Sequence, residues 1–310
     1  MENMHLRSMT FEDRYEVAEL IYTSLNVWYQ NHGRPAIFTG GPGTTEVFFD
    51  VYNSLDPGRA VVAENTKTGR LMGSCFFHPR KHHVSLGIMN VHPNYFGQGV
   101  GKELLHYIID YTDDNGYKSL RLTQSALNLD SFSLYNQAGF IPRCAYQDMF
   151  IQVPSEGMDR VVNGIDNVRE AKVEDVPSMG ELELKVSGII REDDYHYCIK
   201  NELNFWHVSV YETQKGEIDG FMISSGHPAF NMLGPCVTRS EHEAAALILY
   251  ELNQYKGRTP VFLIPMEQEK LVRQMYDWGA RNCEMHFCQV RGDFRPFNGV
   301  SMPTFLPETG

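Results

Sequence analysis

The sequence predicts two related α/β domains in tandem along a chain of 310 residues. This length exceeds the usual size of a single domain. Residues 6–20 are echoed 162 positions later by residues 168–182, and five of the fifteen aligned positions are identical. In both copies the segment is followed by a hairpin, a strand, a long helix, a strand and a shorter helix. Such a repeated order predicts one fold used twice.

The first copy opens with a short strand and a helix that Thr10 and Asp13 can cap. Residues 26–58 are predicted to be rich in loops, and the glycine-rich stretch at residues 39–45 is interpreted as a mobile loop because it has no lysine where a P-loop requires one. The aromatic side chains of this segment are expected either to form a wall of an acceptor pocket or to pack against the second domain.

A hairpin is predicted next, from two alternating runs at residues 59–65 and 70–77 on either side of a Lys-Thr-Gly turn. In the second half the corresponding runs are residues 206–212 and 218–224, with Lys215 and Gly216 between them. A His-Pro pair follows each hairpin, which supports the correspondence between the halves.

The most informative stretch runs from His82 to Gly116. Residues 84–91 read as a strand that ends before Pro93, because proline cannot donate to a β-ladder. Three glycines follow within five residues, and then the apolar face of a helix that Gly116 can end. Glycines let a backbone approach an anion, and free N–H groups converge at the positive end of a helix. The turn therefore suits a pyrophosphate group.

A second block raises the specificity of this prediction. Residues 119–124 alternate as a strand, and the sequence NLDSFSLYNQAGF occupies residues 128–140. The two blocks together resemble the GNAT N-acetyltransferase superfamily, over roughly residues 4–153, whereas the second half resembles it in outline only. The resemblance implies two tandem GNAT-like domains, each an α/β (α+β) fold with a mixed, mostly antiparallel central sheet flanked by helices.

The predicted boundaries are residues 1–155 for an acetyl-CoA-binding domain, 156–165 for a linker and 166–310 for a degenerate second copy. The second copy has Gly-Pro-Cys-Val-Thr-Arg-Ser at residues 234–240 in place of the glycine turn, so we expect it not to bind CoA. Its expected role is that of a scaffold. The proline-containing tail at residues 300–310 could lie across the first domain.

The resemblance also implies a set of site residues for acetyl-CoA, the acyl donor. The pantetheine arm would contact the backbone of the strand before the turn, Asn128 would touch the cofactor, and Tyr135 would protonate the departing thiolate. Phe96 departs from the Gln or Arg that usually begins the turn, which removes a side-chain contact to phosphate but leaves the N–H groups. The implied cofactor-binding residues are Met89, Asn90, Val91, Phe96, Gly97, Gln98, Gly99, Val100, Gly101, Lys102 and Asn128.

The general base is predicted with less support. An amine acceptor must lose a proton before it attacks a thioester. His83 lies at the strand position where some relatives carry a carboxylate, and histidine titrates near neutral pH. An exposed pair of histidines at a strand end, His82 and His83, is the alternative. Glu46, Asp50 and Tyr22 lie in regions that shape acceptor sites.

Composition excludes some classes of function. The formal net charge of −12 argues against broad nucleic-acid binding and is compatible with a cationic amine. No secretory signal is visible at residues 1–9, and no run of 18 apolar residues occurs, so no membrane partner is predicted. The six cysteines lack CxxC or zinc-ligand spacing, so no metal site and a cytoplasmic location are predicted.

The sequence thus predicts an N-acetyltransferase that moves an acetyl group from acetyl-CoA to a primary amine of a small molecule or peptide by direct transfer. No cysteine or serine lies in a nucleophile motif. A homodimer is possible. The alternatives are a non-catalytic acyl-CoA-binding sensor or partner-binding module, and an aminoacyl or peptidyl transferase on a related tandem fold.

Overall fold

The structure, a computed structural model, describes residues 3–308. Its strands are β1 (Met4–Ser8), β2 (Ala60–Asn65), β3 (Leu71–Pro79), β4 (Val84–Val91), β5 (Ser119–Ser125), β6 (Ile141–Phe150), β7 (Val168–Glu170), β8 (Trp206–Glu212), β9 (Ile218–His227), β10 (Phe230–Thr238), β11 (Val261–Pro265), β12 (Arg281–Gly292) and β13 (Val300–Met302). Its α-helices are α1 (Arg14–Asn31), α2 (Glu46–Leu55), α3 (Val100–Asp114), α4 (Leu129–Gln137), α5 (Val176–Ser187), α6 (Glu192–Lys200), α7 (Glu241–Leu252) and α8 (Glu269–Asp277).

The described residues form two compact units. Unit 1 comprises residues 3–79, 83–120 and 305–308, and unit 2 comprises residues 80–82 and 121–304. These units differ from the two halves of the sequence, because β6 of the first half pairs with both β11 and β12 of the second. The boundaries at residues 155 and 166 concern the repeat in the sequence and stay a prediction.

Unit 1 is built on the antiparallel strands β1, β2, β3 and β4 in that order. The predicted hairpin is confirmed by the pairing of Ala60 with Phe76 across β2 and β3. Helix α3 packs on β3 and β4. Its apolar face, including Leu104 and Ile108, is fully buried, as the helical spacing predicts. The chain leaves α3 through Gly116, whose φ is +73°.

The segment at residues 26–58 is more helical than predicted. Helix α1 continues to Asn31, and α2 covers Glu46–Leu55. The interpretation of this segment as loop-rich was therefore wrong. Helix α2 is short, and its apolar residues lie on one side of it. Phe48, in α2, is 3% exposed, and its ring centroid lies 5.8 Å from that of Phe38 in the preceding loop. These aromatic residues pack within unit 1.

Unit 2 contains a larger sheet with the strand order β12, β6, β11, β10, β9, β8 and β7. Its β10–β11 pair is parallel and its other neighbours along this path are antiparallel. From Arg121 onward β5 lies beside β12, and the N–H of Ala126 donates to the carbonyl of Met285 at 2.8 Å. Helices cover the sheet, α7 being buried along most of its length. The mixed, mostly antiparallel α/β fold is therefore confirmed.

Strand β10 changes partner part-way along one edge. Met232 and Leu233 pair with β11, whereas Cys236–Thr238 pair with β13. The approach is close at Gly234, where an added Cβ would lie 2.4 Å from the carbonyl oxygen of Pro303. A strand from later in the chain thus fills the place that β11 leaves. Residues 239–240 then lead directly into α7, and Ser240 caps that helix in place of a glycine turn.

Two kinds of feature are absent from residues 3–308. None of the helices there is long and apolar enough to cross a membrane. The described His, Cys, Asp and Glu side chains do not gather in any group of three that could hold a metal ion.

Candidate active site

The predicted pyrophosphate turn forms an open cradle at the start of α3. Gly97 and Gly99 have φ values of +72° and +84°, and no heavy atom lies within 4 Å of a Cβ added at either position. No described backbone carbonyl accepts from the N–H groups of Val100, Gly101 or Lys102. Free N–H groups at a helix N-terminus bind anions, and the helix dipole adds to the attraction. The residues present therefore fit a pyrophosphate.

Strand β4, which leads into this turn, carries a β-bulge. Cys75 pairs with Met89 and Phe77 pairs with Leu86, so Gly87 and Ile88 together oppose the single residue Phe76. A bulge interrupts the ladder and leaves backbone groups free, and bulges are frequent beside active sites. The bulge lies immediately before Met89, Asn90 and Val91, which are the residues implied to contact pantetheine.

Glycine is required at the bulge. A Cβ added to Gly87 would lie 2.8 Å from Nε2 of His78 and 2.9 Å from the carbonyl oxygen of Phe76. The imidazole of His78 therefore lies against the backbone of the bulge. His78 is 1% exposed, so its position is set by packing on all sides.

Asn90 has a structural partner as well as a free group. Its side-chain oxygen accepts a hydrogen bond from the hydroxyl of Ser24 at 2.9 Å. Its Nδ2 has no hydrogen-bond partner among the described residues, although Asn90 is 3% exposed. An unpaired buried amide N–H is unfavourable, and a ligand acceptor at this strand would satisfy it.

A cluster of polar side chains that was not predicted from the sequence surrounds the bulge. The hydroxyl of Tyr52, in α2, donates to the carboxylate of Glu308, and the carbonyl oxygen of Phe305 lies 3.1 Å from the same hydroxyl. His78 Nδ1 lies 2.7 Å from Asp56 Oδ2, and its Nε2 lies 3.7 Å from Glu308 Oε2. The four side chains form a continuous polar chain inside unit 1.

Burial decides the protonation of this cluster. It raises the pKa of the Glu308 carboxyl, against the opposing effect of the neighbouring His78 and of the hydrogen bond from Tyr52. It also raises the pKa of Tyr52 well above its ordinary value, so the phenol stays protonated and acts as a donor. Glu308 is thus poised to gain or lose a proton at a higher pH than an exposed glutamate. The arrangement can accept a proton at Glu308 and share it with the His78–Asp56 pair.

A small cleft opens beside the cluster. Tyr52, Asp56 and Phe76 line it together with Arg59 and other residues of unit 1. Asp56 therefore faces both the imidazole of His78 and this cleft, which the cation Arg59 also lines.

The predicted base, His83, lies in unit 1 directly before β4 and is 1% exposed. The alternative of an exposed histidine pair is therefore wrong, because His83 is buried and only His82 is exposed. Burial removes His83 from the surface, and its role as a base stays a prediction.

Asn128 and Tyr135 lie in unit 2, whereas the glycine turn lies in unit 1. Asn128 caps α4, and its side-chain oxygen accepts from the N–H of Ser131 at 3.0 Å. Tyr135 is 6% exposed, and its ring centroid lies 5.7 Å from that of Phe140. Their roles with acetyl-CoA stay predictions from the resemblance.

The four residues of the cluster were missed because they come from distant parts of the chain. The apolar spacing of α2 could have placed Tyr52 on a buried helix face, and the repeated His-Pro pair drew attention to His78. Nothing near Glu308 in the sequence marks it as buried, apart from the expectation that the tail crosses the first domain. That expectation is confirmed for Phe305–Glu308, which belong to unit 1.

The family comparison covers the region of the bulge and the turn. Residues 22–140 match the acetyltransferase (GNAT) family. The chain carries a GNAT acetyltransferase domain. This GNAT domain contains β4, the glycine turn and α3, which are the elements that carried the resemblance in the sequence.

Solved structures extend the likeness to the whole chain. A candidate acetyltransferase from Pyrococcus horikoshii superposes with a TM-score of 0.76 at 15% identity, over 99% of this chain and 96% of that one. A GCN5-related N-acetyltransferase from Sphaerobacter thermophilus gives 0.64 at 15% identity, over 95% and 97%. A tandem GNAT protein from the clavulanic acid biosynthesis pathway gives 0.60 at 14%, over 93% and 98%. At these identities the likeness shows a shared fold around the GNAT domain.

One curated protein also matches in sequence. The UPF0157 protein YqkA of Bacillus subtilis is 30% identical over 103 residues, or 33% of this chain. The match spans 28% of the length of that relative. The likeness is therefore confined to about a third of each chain.

Proposed function

We propose that the protein is an acetyl-CoA-dependent N-acetyltransferase that moves the acetyl group directly to a primary amine. The observation that carries this proposal is the open cradle at Gly97–Lys102, directly after a bulged strand. When bound, acetyl-CoA would supply an acetyl thioester for the transfer. The N–H groups of the cradle would hold its pyrophosphate, Lys102 would add a positive charge, and the backbone of Met89–Val91 would hold the pantetheine arm.

We assign the proton-accepting role to Glu308, acting with His78. An amine is protonated near neutral pH and attacks only after it loses a proton. Glu308 is a buried carboxylate with a raised pKa, it lies beside the β4 bulge, and Nε2 of His78 lies 3.7 Å from it. Asp56, 2.7 Å from Nδ1 of the same histidine, would stabilise the charge on the imidazole.

Tyr135 is proposed to protonate the departing thiolate, on the basis of the family resemblance. Tyr135→Phe removes the hydroxyl and keeps the ring that packs near Phe140. We expect a lower turnover with nearly unchanged binding of acetyl-CoA. Unchanged turnover would remove Tyr135 from the mechanism.

The acceptor is proposed to be a cationic amine of a small molecule or peptide. The net charge of −12 favours a positively charged partner. It does not select one amine among the many that occur in cells.

Calorimetric titration of the folded protein with acetyl-CoA tests the donor assignment. A screen of di- and polyamines, amino sugars and lysine peptides, with detection of the released CoA thiol, tests transfer. We expect binding and turnover of at least one amine class. Absence of binding by a folded sample would overturn the donor assignment, and binding without turnover, together with a stable protein partner, would favour the acyl-CoA sensor.

Glu308→Gln tests the proton-accepting role separately. The amide keeps an oxygen that can accept from Tyr52 but cannot take up a proton near neutral pH. We expect unchanged acetyl-CoA affinity and at least a tenfold loss of turnover, which corresponds to about 1.4 kcal/mol or more in the barrier. Glu64→Gln is the matched control in unit 1, because Glu64 is paired with Arg7 away from the cluster. Equal turnover of the two variants would show that Glu308 does not accept the proton.

A further inference from the structure

Two cysteines lie directly opposite each other in the sheet of unit 2. Cys144 of β6 and Cys288 of β12 are register partners in an antiparallel ladder. Partners of this kind have Cα atoms about 4.5–5.5 Å apart and side chains on the same face, which is within the range that a disulfide spans. Both thiols are free in the structure, and they are hydrogen-bonded to each other.

Two arginines stand beside this thiol pair. The guanidinium of Arg121 lies 5.8 Å from the ring centroid of Phe294, and that of Arg143 lies 5.2 Å from the same ring. The two guanidinium groups thus lie near the same aromatic ring in unit 2. Their charges favour a thiolate at Cys288, because opposite charges attract strongly in a buried site.

The hydrogen bond between the two thiols shifts their pKa values in opposite directions. It lowers the pKa of Cys288, with further lowering by Arg121 and Arg143 against the effect of burial. The same hydrogen bond raises the pKa of Cys144, and burial raises it further. The thiolate is therefore favoured at Cys288 over Cys144. This is the state in which a thiol pair reacts with an oxidant.

The other cysteines lack this combination. Burial raises the pKa of Cys75, Cys198 and Cys236, so their thiols stay protonated. Cys283 lies on β12 like Cys288, but its thiol donates to the carbonyl oxygen of Asp148 at 3.3 Å. The residue pairs on either side of it join Asn282 to Met149 and Glu284 to Asp148, so no cysteine stands opposite.

We propose that Cys144 and Cys288 form a reversible disulfide when the protein meets a hydroperoxide. The Cys288 thiolate attacks one peroxide oxygen, the O–O bond breaks, and a sulfenic acid forms while hydroxide leaves and takes up a proton. The sulfur of Cys144 then attacks the sulfenic sulfur, the S–S bond forms, and the S–O bond breaks with release of water. With hydrogen peroxide, two thiols are oxidised to one disulfide and the peroxide is reduced to two waters.

The half-buried position of Cys144 gives the oxidant a route to the pair, because Cys288 itself is fully buried. The new bond would join β6 of the first sequence half to β12 of the second. Thiol–disulfide exchange with two glutathione molecules, or with the dithiol of thioredoxin, would reduce it to the two thiols and leave the reductant as a disulfide. A reversible disulfide of this kind suits a reducing compartment, where such bonds are transient and report oxidant exposure.

Peptide mapping of the full chain tests the proposal. The reduced protein is treated with hydrogen peroxide under native conditions, blocked with iodoacetamide and digested without reductant. We expect a cross-linked pair of peptides containing Cys144 and Cys288, four alkylated cysteines elsewhere, and six after dithiothreitol. Alkylation of both residues under peroxide, or their conversion to sulfinic acid without a cross-link, would overturn the proposal.

Two matched variants add a second measurement. Cys283→Ser removes the neighbouring thiol on β12 and should leave the cross-link unchanged. Cys144→Ser should abolish it and leave a sulfenic acid at Cys288 that dimedone traps. Loss of the cross-link in Cys283→Ser, or its persistence between Cys288 and another cysteine in Cys144→Ser, would contradict the assignment. Neither measurement depends on acetyl-CoA or an acceptor.

Discussion

The Gly99→Ala variant tests the proposed anion cradle. Its effect on stability, which comes from backbone strain, can be measured separately from its effect on anion binding. At a φ of +84° a residue with a Cβ is destabilised by about 1–2 kcal/mol. No heavy atom lies within 4 Å of the added Cβ, so no packing cost is expected. In a large domain each kcal/mol lowers Tm by about 2–4 °C, so we expect a fall of about 2–8 °C.

Gly116→Ala is the control, because Gly116 lies just beyond the other end of α3 with a φ of +73° and equally open surroundings. Both variants should show the same fall in Tm by calorimetry. Only Gly99→Ala places a methyl group in the cradle, so it should weaken acetyl-CoA binding at least tenfold, or by about 1.4 kcal/mol. Equal acetyl-CoA affinities of the two variants would refute the assignment of the cradle.

Three further substitutions test the packing around the site and in unit 2. Gly87→Ala should cost about 1–3 kcal/mol of unfolding free energy by urea denaturation, because its Cβ has no room beside His78; a fully stable variant would contradict the close approach. Glu183→Gln leaves the buried Arg191 without its carboxylate partner and should cost about 3–5 kcal/mol in the same assay, and a loss below about 1 kcal/mol would contradict it. Burial lowers the pKa of His207, but the hydrogen bond to Glu251 outweighs this effect and raises the pKa above 6.5. The His207–Glu251 pair therefore stabilises the fold fully below about pH 6.5. This contribution to stability is lost as the pH rises through the raised pKa. The stability difference between wild type and Glu251→Gln should shrink over that interval, and a constant difference would exclude the linkage.

The elements that could be predicted are those whose sequence pattern is local. The hairpins, α3 and its glycine turn follow from alternation, apolar spacing and backbone freedom, all of which lie within one short stretch. Helix α2 was missed because its aromatic residues stand among glycines and prolines that favour loops. The pairing of β6 with β11 and β12 was not predicted, because the choice of strand partner depends on contacts far apart in sequence.

The polar cluster shows the same limit at the site. Tyr52, His78 and Glu308 become neighbours only after the tail enters unit 1, and the raised pKa of the glutamate comes from burial that no local pattern reveals. The opposite pairing of Cys144 and Cys288 likewise depends on a register between distant strands. The anion cradle, by contrast, needs only consecutive backbone N–H groups and could be recognised from six residues.

Residues 300–308 have a consequence for how the protein matures during synthesis. They supply β13 to the edge of β10 and then the carboxylate that Tyr52 contacts, so both compact units depend on the same short segment. A ribosome-bound chain that lacks this segment would show an open strand edge, which is the kind of surface that chaperones bind and that aggregates readily. Arrested or proteolytically shortened chains would then lack the proposed proton acceptor.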